Sequence, residues 1–319
     1  MKIVKRILLG LLILVLLSAI GGYVYFDRAF TPRPNQIRLS GESGELPIHW
    51  RGSANSEWAV MLLPIQLAGI DRTFYLQYDT GAPNTLFRTE RLRDIARRFP
   101  EVDLTIDSAN TTALRFSLGE MEVASDEFLL MNRGSKTIDW ADSSGVWVIG
   151  TLGADVIEKC IAVMDFQHSL CSFGQAIPAR YGNPKMSACK FVKRKVMFPA
   201  RIGEDEADLL HDSGSSGFEL ITSQAIWQQL ARPGAEGKEA FDVPSWGRML
   251  KAYEIESDTS IVFPMTSLPL RKLTYIEGAA FWQVALMRLT GMGGMIGNEI
   301  FRDKVLILDV GQRQYAIID

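Results

Sequence analysis

The pattern of apolar and polar positions divides the chain into one long apolar run and a series of short strands. Residues 7–26 are uncharged and rich in Leu and Ile, behind a basic flank of Lys2, Lys5 and Arg6. A run of about 20 apolar residues suffices to cross a bilayer as a helix, and a basic flank belongs on the cytoplasmic side. The pattern thus predicts a transmembrane signal anchor over 1–26. A cleaved signal peptide fits less well, because Tyr23-Val24-Tyr25-Phe26 carries the run past the small residues Ser18, Ala19, Gly21 and Gly22. The expected placement is single-pass in the cytoplasmic (inner) membrane, with the following domain on the periplasmic side. Residues 27–56, with Pro32, Pro34, Gly41, Gly44 and Pro47, read as a linker.

From residue 57 the period shortens to that of strands. Residues 58–67 and 73–78 are strand-like about a turn at Ala68-Gly69-Ile70-Asp71, and residues 89–99 suit an amphipathic helix stopped by Pro100. Leu92, Ile95, Ala96 and Phe99 share its apolar face. Residues 103–131 alternate, with turns at 107–110 and 118–120; further strands are expected near 146–149, 161–164 and 170–173. A stretch of Pro, Gly and Lys over 174–195 marks a boundary, giving an N-terminal lobe over 57–175 and a C-terminal lobe over 176–319.

The second half repeats the first. Residues 196–202 match 62–67 around Pro199 and Pro64, and residues 222–230 suit a helix ended by Pro233-Gly234. Asp79-Thr80-Gly81 returns as Asp212-Ser213-Gly214, each after an apolar strand. Gly150-Thr151-Leu152-Gly153 returns as Gly294-Met295-Ile296-Gly297, and with an offset of 144 the match continues from Ile161–Asp165 to Val305–Asp309. A carboxylate at the tip of a loop between strands, with a glycine for a tight bend, presents an acid on rigid supports. Two such loops facing each other would set two carboxylates around one water, which suits general acid–base hydrolysis.

Composition narrows the options. At 319 residues with 47% hydrophobic and 22% charged residues the chain is a folded protein with ample core. A net charge of −3 argues against a nucleic-acid partner. Three cysteines and three histidines without tight ligand spacing argue against a zinc site, and no cofactor is expected. Trp147, Trp227, Trp246 and Trp282 read as core residues, and Ser215-Ser216 as loop hydroxyls near Asp212. Cys160 and Cys171 fall on a predicted hairpin as either a disulfide or two buried thiols, while Cys189 reads as a small residue in the boundary stretch.

These paired motifs resemble the pepsin-like and retropepsin-like aspartic proteases over roughly residues 57–319. The resemblance implies a mostly β, two-lobed fold of related β-barrel-like lobes, here preceded by one transmembrane helix. It implies Asp79 and Asp212 as the catalytic pair, sharing a proton and activating a bridging water. Thr80 and Ser213 would brace the loops, Gly81 and Gly214 would admit backbone N–H groups to the carboxylates, and Leu152-Gly153 and Ile296-Gly297 would support them. The implied activity is an aspartic endopeptidase acting on exported polypeptides, monomeric because the duplication lies within one chain. The sequence departs from the family in three places. Ala82 follows the first motif, His211 precedes the second with its side chain expected to point away from Asp212, and the flap region 103–131 lacks Tyr and Trp. The competing reading is a catalytically silent peptide-binding or envelope assembly protein using the same cleft.

Overall fold

The structure is a computed structural model that describes residues 2–102, 104, 110–132, 137–142, 144–237, 240–245, 248–278 and 292–319. Trp246, Trp282 and residues 107–109 of the expected turn lie outside the described residues. The chain divides into one compact unit through Pro34 and a second from Asn35 to Asp319.

The first unit is a 29-residue α-helix, Lys2–Phe30. Among the described residues no helix is long and apolar enough to cross a membrane. This overturns the transmembrane signal anchor, the membrane as a partner, and the single-pass inner-membrane placement with a periplasmic domain.

The second unit is mostly β; its described residues form three sheets of eight, six and eight strands. Period-two alternation sets the first. In Thr73–Tyr78, Phe74, Leu76 and Tyr78 are fully buried while Thr73, Tyr75 and Gln77 face outward. This strand pairs antiparallel with Val60–Leu67 and parallel with Val148–Leu152. Leu86–Arg88 then pairs antiparallel with Val148–Leu152 and parallel with Met121–Met131.

The other eight-stranded sheet repeats that plan. Asp205–His211 pairs antiparallel with Lys195–Ile202 and parallel with Met292–Ile296. Leu220–Thr222 pairs antiparallel with Met292–Ile296 and parallel with Ser267–Glu277. In both halves the acid-bearing strand therefore lies between its hairpin partner and a strand carrying an apolar residue and glycine.

The two terminal hairpins, Ile161–Asp165 with Leu170–Gly174 and Val305–Asp309 with Gln314–Ile318, meet across the two halves of the chain. Ile161–Asp165 pairs antiparallel with Val305–Asp309, so both hairpins join one six-stranded sheet. Ala162, Val163, Met164, Leu306, Ile307 and Leu308 are all buried, so pairing edge to edge removes two apolar edges at once. In the main core Phe166 and Phe301 stack at 6.2 Å and Phe198 stacks on Tyr315 at 4.1 Å, while Val163, Val305, Ile307 and Ala316 form a second, smaller cluster.

The two stretches read as linkers carry strands. Arg38–Ser40, Leu46–Pro47 and His49–Arg51 join the first two sheets, with Ile37, Leu46 and Ile48 buried. Ser187–Ala188 and Lys190–Val192 lie within the boundary at 174–195. The expected helices form at Thr89–Arg98, which buries Leu92 and Ile95, and at Gln224–Gln229, whose Ser223 cap accepts from the Ile226 N–H at 3.4 Å.

Candidate active site

Each acid is fixed by the strand running parallel to its own. The Asp79 N–H donates to the Leu152 carbonyl at 3.0 Å, and the Asp212 N–H to the Ile296 carbonyl at 2.9 Å. The glycine after each apolar residue permits this approach. A Cβ on Gly153 would lie 2.5 Å from the backbone of Asn84, and one on Gly297 would lie 2.1 Å from the Ser215 carbonyl oxygen.

The two loops are then tied to each other. The Thr80 N–H donates to Ser213 Oγ at 2.9 Å, and the Ser213 N–H donates to Thr80 Oγ1 at 3.0 Å. Each hydroxyl passes its own proton across: Ser213 Oγ donates to the Tyr78 carbonyl and Thr80 Oγ1 to the His211 carbonyl, both at 3.0 Å. Thr80 and Ser213 are completely buried, so losing either partner would strand desolvated polar groups.

This bracing brings Asp79 and Asp212 together, both half-buried. The Ala82 N–H donates to Asp79 Oδ1 at 3.0 Å. Asp212 accepts from the Gly214 N–H at 2.9 Å and from Ser215 Oγ at 3.0 Å. The glycines have a further role that the motif alone does not announce. A Cβ on Gly81 would lie 2.4 Å from Asp212 Oδ1, and one on Gly214 would lie 2.4 Å from Asp79 Cγ. Each glycine thus makes room for the acid of the other loop. Burial, the Asp212 charge and a hydrogen bond to Asp212 push the Asp79 carboxyl up to about 7, while the Ala82 N–H and Lys195 oppose the rise. Two carboxyls so placed share one proton over a wide pH range.

Several residues around the pair carry no motif. His211 is fully buried, with Nδ1 3.2 Å from Thr80 Oγ1, Nε2 3.3 Å from Asn298 Oδ1, and its ring stacked on Phe198. Burial pulls its pKa down to about 4, so the ring is neutral. Buried Asp155 accepts from the Thr85 N–H at 2.6 Å and from Thr85 Oγ1 at 2.7 Å, holding the strand that leaves the first loop. In the second half Asn298 donates to Ser216 Oγ at 2.9 Å, within the loop that follows Asp212. The offset-144 repeat pairs Ala154-Asp155 with Asn298-Glu299, which is the one signal that could have pointed to this layer.

Other expectations fall differently. Cys160, Cys171 and Cys189 are buried free thiols, so the disulfide between Cys160 and Cys171 is not formed. In the hairpin register Cys171 lies opposite Met164, and Cys160 precedes the strand. A hairpin does form in the region expected as a flap, from Thr111–Leu118 and Met121–Met131. Its tip is bound elsewhere: the Glu120 N–H donates to the Ser43 carbonyl at 3.3 Å, and a Cβ on Gly119 would lie 2.1 Å from that oxygen. Among the described residues no group of His, Cys, Asp and Glu is placed to hold a metal ion. No protein-family model matches this chain, and no curated protein matches it.

Proposed function

We propose that the chain is an aspartic endopeptidase that hydrolyses peptide bonds with a water activated between Asp79 and Asp212. The observation that carries this reading is the pair of acid loops locked by reciprocal Thr80–Ser213 hydrogen bonds, with the Asp79 carboxyl raised to about 7. The ionised carboxylate removes a proton from the water, whose oxygen attacks the scissile carbonyl carbon. The protonated partner donates to the carbonyl oxygen. As the tetrahedral intermediate collapses, the C–N bond breaks and the leaving nitrogen takes a proton from the pair. Backbone and hydroxyl donors from Ala82, Gly214 and Ser215 keep the ionised member charged without requiring the loops to rearrange.

Incubating the protein with a diverse peptide pool from pH 3 to pH 8, with and without a statine-type peptide that mimics the tetrahedral intermediate, tests this reading. Cleavage blocked by the mimic supports it. Tight binding of the mimic without any cleavage identifies a peptide-binding protein, and neither cleavage nor binding removes the reading.

A further inference from the structure

The repeated frame around the acid pair breaks its symmetry at one residue. Extending the register from Leu62↔Gln77 sets Val60 across from Asp79, and extending it from Val196↔His211 sets Lys195 across from Asp212. The same place is thus apolar in the first half and cationic in the second. Lys195 Nζ crosses to the other loop and donates to the carbonyl oxygen of Gly81. The side chain is half-buried; burial pulls its pKa down from the ordinary value, and the charges of Asp212 and Asp79 oppose the fall.

The backbone that delivers this lysine adopts a demanding conformation. Val192↔Lys195 closes a two-residue turn in which Lys193 and Arg194 both have left-handed φ values, 52° and 58°. Such turns usually take Asn-Gly, because a side chain is disfavoured at left-handed φ. Arg194 holds the turn down. Only 5% of its side chain is exposed; Nη1 donates to Asn84 Oδ1 at 2.6 Å and to the Pro83 carbonyl at 3.2 Å, and Nε pairs with Glu158 at 2.9 Å. Adjacent residues of one turn therefore grip the first acid loop at Gly81, Pro83 and Asn84.

We infer that Lys195 is a positioning residue of the acid pair: fixed on the Gly81 carbonyl, its ammonium holds the Asp79 loop and favours the ionised pair. Among the described residues the charges of Asp212 and Asp79 act on the ammonium, His211 behind Asp212 is neutral above about pH 4, and the Arg194 guanidinium pairs with Glu158. A cation beside a carboxyl pair stabilises its ionised forms, so Lys195 moves the proton loss of Asp79 to lower pH. Any effect on turnover rests on the proposed hydrolysis; the effect on proton binding does not.

The test is a carbon-13 NMR titration of full-length protein labelled at the aspartate carboxyls, in the wild type, Lys195→Met and Lys195→Arg. Asp79→Asn and Asp212→Asn assign the resonances. In Lys195→Met the Asp79 titration should move up by roughly one pH unit, and Lys195→Arg should restore most of the shift. The pH profile of kcat/KM on a cleaved peptide should move in the same direction. Unchanged titrations in folded Lys195→Met would overturn the inference. Should Lys195→Met not fold, the wild type decides: the Lys195 Cε resonance must follow the titration of the pair, and a silent resonance overturns the inference. Shifted titrations with no cleavage in any sample would overturn the hydrolase reading and leave the role of Lys195 standing.

Discussion

A Cβ placed on Gly81 would lie 2.4 Å from Oδ1 of Asp212, the acid of the opposite loop. The glycine of one motif is therefore part of the other acid's surroundings. Gly81→Ala should push the pair apart while leaving the sheets intact. Because a displacement of about 1 Å at reacting groups costs roughly 100-fold in rate, kcat/KM should fall by at least that factor. Gly214→Ala, whose Cβ would meet Asp79, should behave alike, with circular dichroism confirming the fold.

Thr80→Val and Ser213→Ala each leave a buried N–H of the opposite loop without its acceptor. Each should lower stability by about 1–3 kcal/mol in urea unfolding. The double variant should lose less than the sum of the singles, because the two hydroxyls form one reciprocal unit.

Two buried groups oppose each other in their pH dependence. His211 has a folded pKa of about 4, below its ordinary 6.5, so the stability from keeping it neutral is complete above pH 6.5 and lost as pH falls through 4. Asp79 has a folded pKa of about 7, above its ordinary 3.8, so its contribution is complete below pH 3.8 and lost as pH rises through 7. His211→Gln should remove about 2–3 kcal/mol of the acid-side loss. Asp79→Asn should be more stable than the wild type at pH 8, with the difference vanishing as pH falls toward 4, read by urea unfolding across pH.

The acid loops were legible because their signal is local. Phe74, Leu76 and Tyr78 alternate with outward residues before Asp79, and the tripeptide and its glycine-bearing partner strand each recur once at nearly constant spacing. What escaped the sequence depends on contacts between distant residues. Lys195 and Gly81 are separated by 114 positions, and nothing in Arg194-Lys195 distinguishes them from other surface cations. Arg38–Ser40 and His49–Arg51 are three residues long, too short for a periodic pattern, and so were read as linker. The joining of the terminal hairpins was hidden for another reason: an apolar strand shows that it will be buried, but not which edge it will meet.

The cysteines give a further check. Burial pushes the Cys160 thiol up to about 12 and that of Cys189 up to about 11, and raises Cys171 as well. Native protein at pH 8 should resist alkylation, whereas unfolded protein without reductant should show three thiols per chain. A Cys160–Cys171 disulfide would leave only one.

The most direct measurement compares cleavage of a single peptide by the wild type, Asp79→Asn and Asp212→Asn at the wild-type pH optimum. Both asparagine variants keep the size of the side chain and an oxygen that can accept the loop N–H. With the pair acting jointly on one water, each should lose at least roughly a thousandfold in kcat, with unfolding still cooperative. Cleavage at the wild-type rate by either folded variant would contradict hydrolysis by Asp79 and Asp212.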